Sequence, residues 1–142
     1  MYLSQTKVMN YVVNWLKKRG WKIIYAHYPE GHHISPEYGE LKIIKRKFID
    51  IVAKKGKYLL LIQCNRRFKM KYFEKLKKIT KEDIKGVEFE FLLKGVAFNV
   101  IPSVKNRLRV VSEGGLVLEV KGENKIKVYG KIPLVCEGET NE

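Results

Sequence analysis

The chain has 142 residues, enough for one domain with a real core and too few for two. Its 45% hydrophobic content excludes a disordered basic tail, and no apolar run approaches the roughly 20 residues needed to span a bilayer. Lys and Arg number 29 against 15 Asp and Glu, and the resulting formal net charge of +14 points to a polyanionic partner.

The charge is unevenly placed. Residues 42–81 hold fifteen Lys or Arg, with only Asp50 and Glu74 as acids. A lysine-rich, heat-adapted surface is the competing explanation, but such surfaces mix both signs in networks, and here the acids are missing. Nucleic acid is therefore the expected partner. The start, MYLSQTKVMN, lacks the basic and then apolar segments of a signal peptide. Cys64 and Cys136 form neither a metal-ligand pair nor a disulfide framework. A reducing cytoplasm is the expected location, with no membrane association.

In chain order, Ser4 is placed to cap a helix in which Val8, Tyr11, Val12, Trp15 and Leu16 recur at helical spacing. Lys17, Lys18 and Arg19 suit the negative end of its dipole, and Gly20 stops it. WKIIYAH, residues 21–27, reads as a strand, and residues 28–40 as a loop with two prolines and two glycines. Residues 41–53 return to strand character with an interruption at Lys45, Arg46 and Lys47. A turn at Lys55, Gly56 and Lys57 leads into YLLLIQC, which is apolar on both parities and so belongs at the centre of a sheet covered on both faces.

A basic amphipathic helix follows, with Phe68, Tyr72, Phe73, Leu76 and Ile79 on its apolar side. Tyr72 and Phe73 offer flat faces for stacking on bases, but their helical spacing assigns them to the core. GVAFNVIP, residues 95–102, is a further strand, and RLRVVS, GLVLEV and KIKVYG read as short strands split by turns. The expected fold is α/β. Residues 1–102 form a core of helix, three-stranded meander, helix and strand, and residues 103–142 a β-rich C-terminal extension with an acidic tail that belongs to the same domain.

The chemistry concentrates in FIDIVAKKGKYLLLIQCNRRF, residues 48–68. Side chains alternate faces along a strand, so Gln63 and Asn65 point the same way, and Asp50 lies beside them where the hairpin splays. A carboxylate, an amide oxygen and the Cys64 carbonyl are hard oxygen donors of the kind Mg²⁺ takes, and a nuclease needs such an ion to activate water. The alternative is a hairpin end whose polar groups simply meet water. Cys64 turns towards a helix-covered side and reads as a buried thiol rather than a nucleophile. His27, His32 and His33, with Glu30, Glu37 and Glu40, match no tetrahedral zinc spacing and read as a solvated loop.

IDIVAKKGKYLLLIQCNRR resembles the core hairpin of the PD-(D/E)XK nuclease superfamily, which reads Asp, a short turn, then (Glu/Gln)-x-Lys. It is most similar to the Mrr-type restriction endonuclease branch, whose second strand ends Gln-Cys-Lys, and Gln63 and Cys64 match that ending. Archaeal Holliday-junction resolvases share the element order, and the resemblance covers roughly residues 5–100.

The resemblance implies a restriction-endonuclease-like core and a DNA endonuclease using Mg²⁺ or Mn²⁺. It places Asp50, Gln63 and the Cys64 backbone carbonyl on the metal, and Asn65 and Arg67 beside them in the catalytic set. Lys45, Arg46, Lys47, Arg66, Lys69, Lys71 and Lys75 would hold duplex or branched DNA, and loop residues His32, His33 and Glu40 would contribute from the side. A homodimer follows from the need to cut two strands.

Two departures qualify this. Asn65 replaces the lysine that polarises water, and the first helix, at Lys7, Val8, Met9 and Asn10, brings no acid. The alternative function is a catalytically inactive nucleic-acid-binding or structural protein on the same fold.

Overall fold

In the computed structural model, residues 3–28, 31–34, 42–43, 49–100 and 103–131 are described. Helix α1 (Gln5–Lys18) starts where the Ser4 side chain accepts the Lys7 backbone N–H, at 3.2 Å. It ends at Gly20, whose φ of +85° lies in the left-handed region that glycine enters freely. One face of the helix carries Val8, Met9, Val12, Val13, Trp15 and Leu16, all buried against the sheet.

Strand β1 (Lys22–Tyr28) pairs antiparallel with β2 (Gly31–Ile34), so a strand occupies part of the span expected to be a loop. β3 (Lys42–Ile43) stands apart, pairing only with β6 (Ile84–Lys85) in a two-stranded ribbon. β4 (Ile51–Lys55) and β5 (Tyr58–Arg67) form the hairpin, turning at Gly56 with φ +57°. Helix α2 (Met70–Lys77) then crosses over to β7 (Phe91–Val100), which lies parallel to β5.

The segment RLRVVS corrects the sequence expectation, because it lies in helix α3 (Val104–Ser112), capped by the Ser103 hydroxyl on Asn106 N–H. The adjacent Val110 and Val111 mimic strand composition. However, the next strand, β8 (Leu116–Gly122), is parallel to β7, and a parallel return needs a crossover, usually a helix. β9 (Lys125–Tyr129) closes the sheet antiparallel to β8.

The seven-stranded mixed sheet runs β2-β1-β4-β5-β7-β8-β9, giving an α/β protein with β5 at its centre. Leu60, Ile62 and Cys64 face the α1 layer, whereas Leu59 and Leu61 pack with Phe73, Leu76 and Val110 on the α2–α3 side. Covering on both faces explains why β5 is apolar at both parities and buried from Leu59 to Cys64. Among the described residues, no helix is long and apolar enough to cross a membrane.

Candidate metal and nucleic-acid site

β4 is continuous only from Ile51, and the chain bends at Asp50. The Asp50 backbone still belongs to the sheet: its N–H donates to Ile62 O at 2.9 Å and its carbonyl accepts His27 N–H at 2.7 Å. Its side chain takes over where the ladder ends, with Oδ2 accepting the Cys64 N–H at 2.7 Å. Cys64 lies between Gln63 and Asn65, so this bond ties the carboxylate to the strand segment carrying both amides.

Asp50 is 5% exposed. Burial pushes its carboxyl up to about 6, a rise partly opposed by the Cys64 N–H. Burial, reinforced by the Asp50 charge, raises the Cys64 thiol well above its usual range, so this free, buried cysteine is no nucleophile at neutral pH.

Gln5, at the start of α1, is a residue the sequence reading passed over. Its side-chain Nε2 donates to the Cys64 carbonyl at 3.1 Å. The first helix therefore does reach the site, bringing a neutral amide rather than an acid. Among the described residues no three or more His, Cys, Asp or Glu side chains gather into a metal-binding group. The oxygens at hand are Asp50 Oδ1, the remaining lone pair of the Cys64 carbonyl and the Gln63 amide. This hard-oxygen set fits Mg²⁺ or Mn²⁺, but with one negative charge it would hold the ion weakly.

On the α2 side, Gln63, Asn65 and Arg67 line one narrow crevice with Phe68, Tyr72 and Phe98, as their shared parity requires. Asn65 Oδ1 accepts the N–H of Arg66, whose side chain is exposed. Tyr72 is half-exposed at the crevice, whereas Phe73 alone of the two is fully in the core. Lys69 and Lys71 are exposed at the amino end of α2, and Lys75 is half-exposed one turn on. The side chains of His32 and His33, on β2, and Glu40, Lys45, Arg46 and Lys47 lie outside the described residues.

No protein-family profile, curated protein or solved structure matches this chain. The site is therefore read from its own residues.

The two ends of α2 differ in charge balance. At the carboxyl end, Lys77 and Arg109 each pair with both Glu74 and Glu113, a closed network linking α2 to α3. At the amino end, Arg67, Lys69 and Lys71 form no ion pair among the described residues. The Lys69 side chain makes no capping hydrogen bond either, so the positive end of the helix dipole adds to three unneutralised cations.

A second polar group appears on the same face. Cross-strand neighbours run Asn65–Phe98–Glu119–Lys127, and at about 4.8 Å per strand Glu119 lies about 10 Å from Asn65. Glu119 is 1% exposed; its Oε1 accepts the Tyr129 hydroxyl at 3.1 Å, and that hydroxyl accepts from Arg107. Glu119 Oε2 and Arg107 Nε are buried with no partner. The signal for Glu119 was a single acid inside the apolar run GLVLEV, the same kind of signal that exposed Asp50.

Proposed function

We propose that this chain is a nucleic-acid-binding protein with a restriction-endonuclease-like core of the PD-(D/E)XK type. Its single weak divalent-cation site would support slow hydrolysis of DNA phosphodiesters. One observation carries the reading. The central hairpin ends with the Asp50 carboxylate bonded to the backbone of Cys64, on the strand whose next residues, Asn65 and Arg67, line a crevice with Gln63 and Lys69. The element order of helix, three antiparallel strands, crossover helix and parallel strand supports it.

In this reading Asp50, Gln63 and the Cys64 carbonyl hold Mg²⁺ or Mn²⁺, which when bound supplies Lewis acidity to the phosphate and an acidified water. Asp50 is ionised at neutral pH and provides the one negative charge. Gln5 fixes the Cys64 carbonyl from the α1 side. Arg67 stays protonated, so it stabilises charge on the phosphate but cannot serve as a base. Lys69 and Lys71 take neighbouring phosphates of duplex or branched DNA. A homodimer would present two such sites to two strands, and the buried, unpaired Cys64 thiol accords with a reducing cytoplasm.

A second reading, a DNA-binding protein without catalysis, is favoured by one feature: Asn65 stands where a water-polarising cation belongs, and its oxygen is engaged by the Arg66 N–H. Cleavage of plasmid and branched DNA in Mg²⁺ and Mn²⁺, run beside metal-free binding, separates the two. Slow metal-dependent nicking supports the nuclease; tight binding with no nicking supports the second reading. Absence of DNA binding at low salt rejects both.

A further inference from the structure

One flank of α3 presents an apolar row to solvent. Val104 is 58% exposed and Leu108 64%, and the half-buried Val111 continues the row one turn on. Helical spacing puts these three and Arg107 on one flank, with Arg109 and Glu113 on the other. Arg109 and Glu113 bind Glu74 and Lys77 of α2, so the apolar row is turned away from α2. It looks towards the β9 edge of the sheet, since the Arg107 guanidinium lies 4.6 Å from the centre of the Tyr129 ring and donates to its hydroxyl.

The chain leaves the sheet at this same flank. Tyr129 ends β9 and pairs with Val117, near the start of β8. Gly130 follows with φ +101°, and a Cβ there would stand 3.0 Å from the carbonyl oxygen of Gly115, just beyond α3. β9 runs opposite to β8, as does α3, which links the parallel strands β7 and β8. The chain therefore arrives at the carboxyl end of α3 and must turn back to follow the row. The left-handed conformation of Gly130 suits such a turn.

Residues 132–142, outside the described residues, read IPLVCEGETNE: an apolar run, then acids. Extended, IPLVC reaches about 16 Å, enough to cover the roughly 10 Å of helix between Val111 and Val104. The acids then meet the amino end of α3, where the helix dipole is positive and the first turn holds Lys105 and no carboxylate. Order, length and charge all match.

We propose that residues 132–136 fold back over this flank of α3, from Val111 towards Val104, and that Glu137 and Glu139 come to rest beside Lys105. The C-terminal segment is then a strap holding α3 to the β9 edge rather than a free acidic tail. The inference stands independently of the nucleic-acid reading.

The native Cys136 makes the strap testable in the full chain, because Cys64 is buried and out of reach of reagents. Under oxidised glutathione, Val104→Cys should form a disulfide with Cys136 within one chain, and do so faster than Ser112→Cys, at the other end of α3. Peptide mapping identifies the pair. Ellman's reagent should attack Cys136 about tenfold faster in Leu108→Asp than in the native protein, the scale of exposing one aliphatic contact. Both positions are already exposed, so neither substitution should unfold the chain. Equal linkage at the two positions, faster linkage at Ser112→Cys or none at either overturns the proposal. A disulfide between two chains overturns it too, since a second copy would then occupy the flank. So does Cys136 reactivity that Leu108→Asp leaves unchanged.

Discussion

The carboxylate of Asp50 accepts the backbone N–H of Cys64 at 2.7 Å, across 14 positions of chain, and so completes with a side chain the pairing that the β4 backbone no longer supplies. The acid is held in a nearly closed environment that raises its affinity for a proton.

Its effect on stability has a definite sign. The Asp50 carboxyl sits near 6 in the folded chain against an ordinary 3.8, so the unfolded chain releases the proton first as pH rises. Asp50 therefore subtracts stability progressively between about pH 4 and pH 6, reaching about 3 kcal/mol above that window. Asp50→Asn removes the buried charge while its amide oxygen can still accept the Cys64 N–H. In metal-free thermal melts the variant should exceed the wild type at pH 8 and converge with it near pH 4. Mn²⁺ should raise the wild-type melting temperature only. A variant melting far below wild type at both pH values would make the role of Asp50 structural.

Binding to duplex DNA should weaken steeply with salt. Three phosphate contacts alone correspond to a slope of about −2.7 in log affinity against log salt. Replacing Lys69, Lys71 and Lys75 with alanine together should flatten that slope and weaken binding without unfolding the chain, since these side chains lie outside the core. An unchanged slope in the triple variant would move the phosphate contacts elsewhere.

Asn65→Lys tests the missing cation. Position 65 is half-exposed and lines the crevice beside Gln63, so an ammonium there is placed to reach a phosphate held near Asp50. If the site is a nuclease lacking that charge, the substitution should raise cleavage by about 10². Robust wild-type cleavage left unchanged would mean that Arg67 or a lysine elsewhere already fills the role. Silence in both forms, with the fold intact and no metal bound, would reject the metal site.

Much of this architecture was legible because periodicity reports burial. The α1 stripe and the two-faced apolarity of β5 follow from burial, the Ser4 cap follows from an orphan backbone donor that a hydroxyl can satisfy, and the structure agrees with each. Asp50, Gln63 and Asn65 stood out as polar residues where apolar ones belong. α3 was illegible because only Val110 of its nine residues is fully buried, leaving no apolar stripe to read. Gln5 was illegible for another reason. Its partner is a backbone carbonyl 59 positions away, and no local pattern encodes such a contact. The exposure of Tyr72 likewise depends on how α2 sits over β7, which spacing alone does not fix.

Tyr129 supplies the sole partner of the buried Glu119 carboxylate among the described residues. Tyr129→Phe would leave both carboxylate oxygens unmet and should destabilise the chain by about 1–3 kcal/mol in urea unfolding. The double variant Tyr129→Phe, Glu119→Leu should recover most of that loss, because it removes the acceptor along with its donor. A double variant no more stable than the single would show that the carboxylate has another role in the folded chain.

The pairing of β5 also sets an order of assembly. Its partner β4 is reached through a turn at Gly56, whereas β7 is reached only after the whole α2 crossover. Short loops close sooner and at lower entropic cost than long ones. The Asp50–Cys64 bond belongs to the early, local hairpin, while the crevice of Asn65, Tyr72 and Phe98 exists only once β7 has docked. The two halves of the site should thus answer to different kinetic steps: Asp50 substitutions should chiefly slow folding, and Tyr72 or Phe98 substitutions should chiefly hasten unfolding.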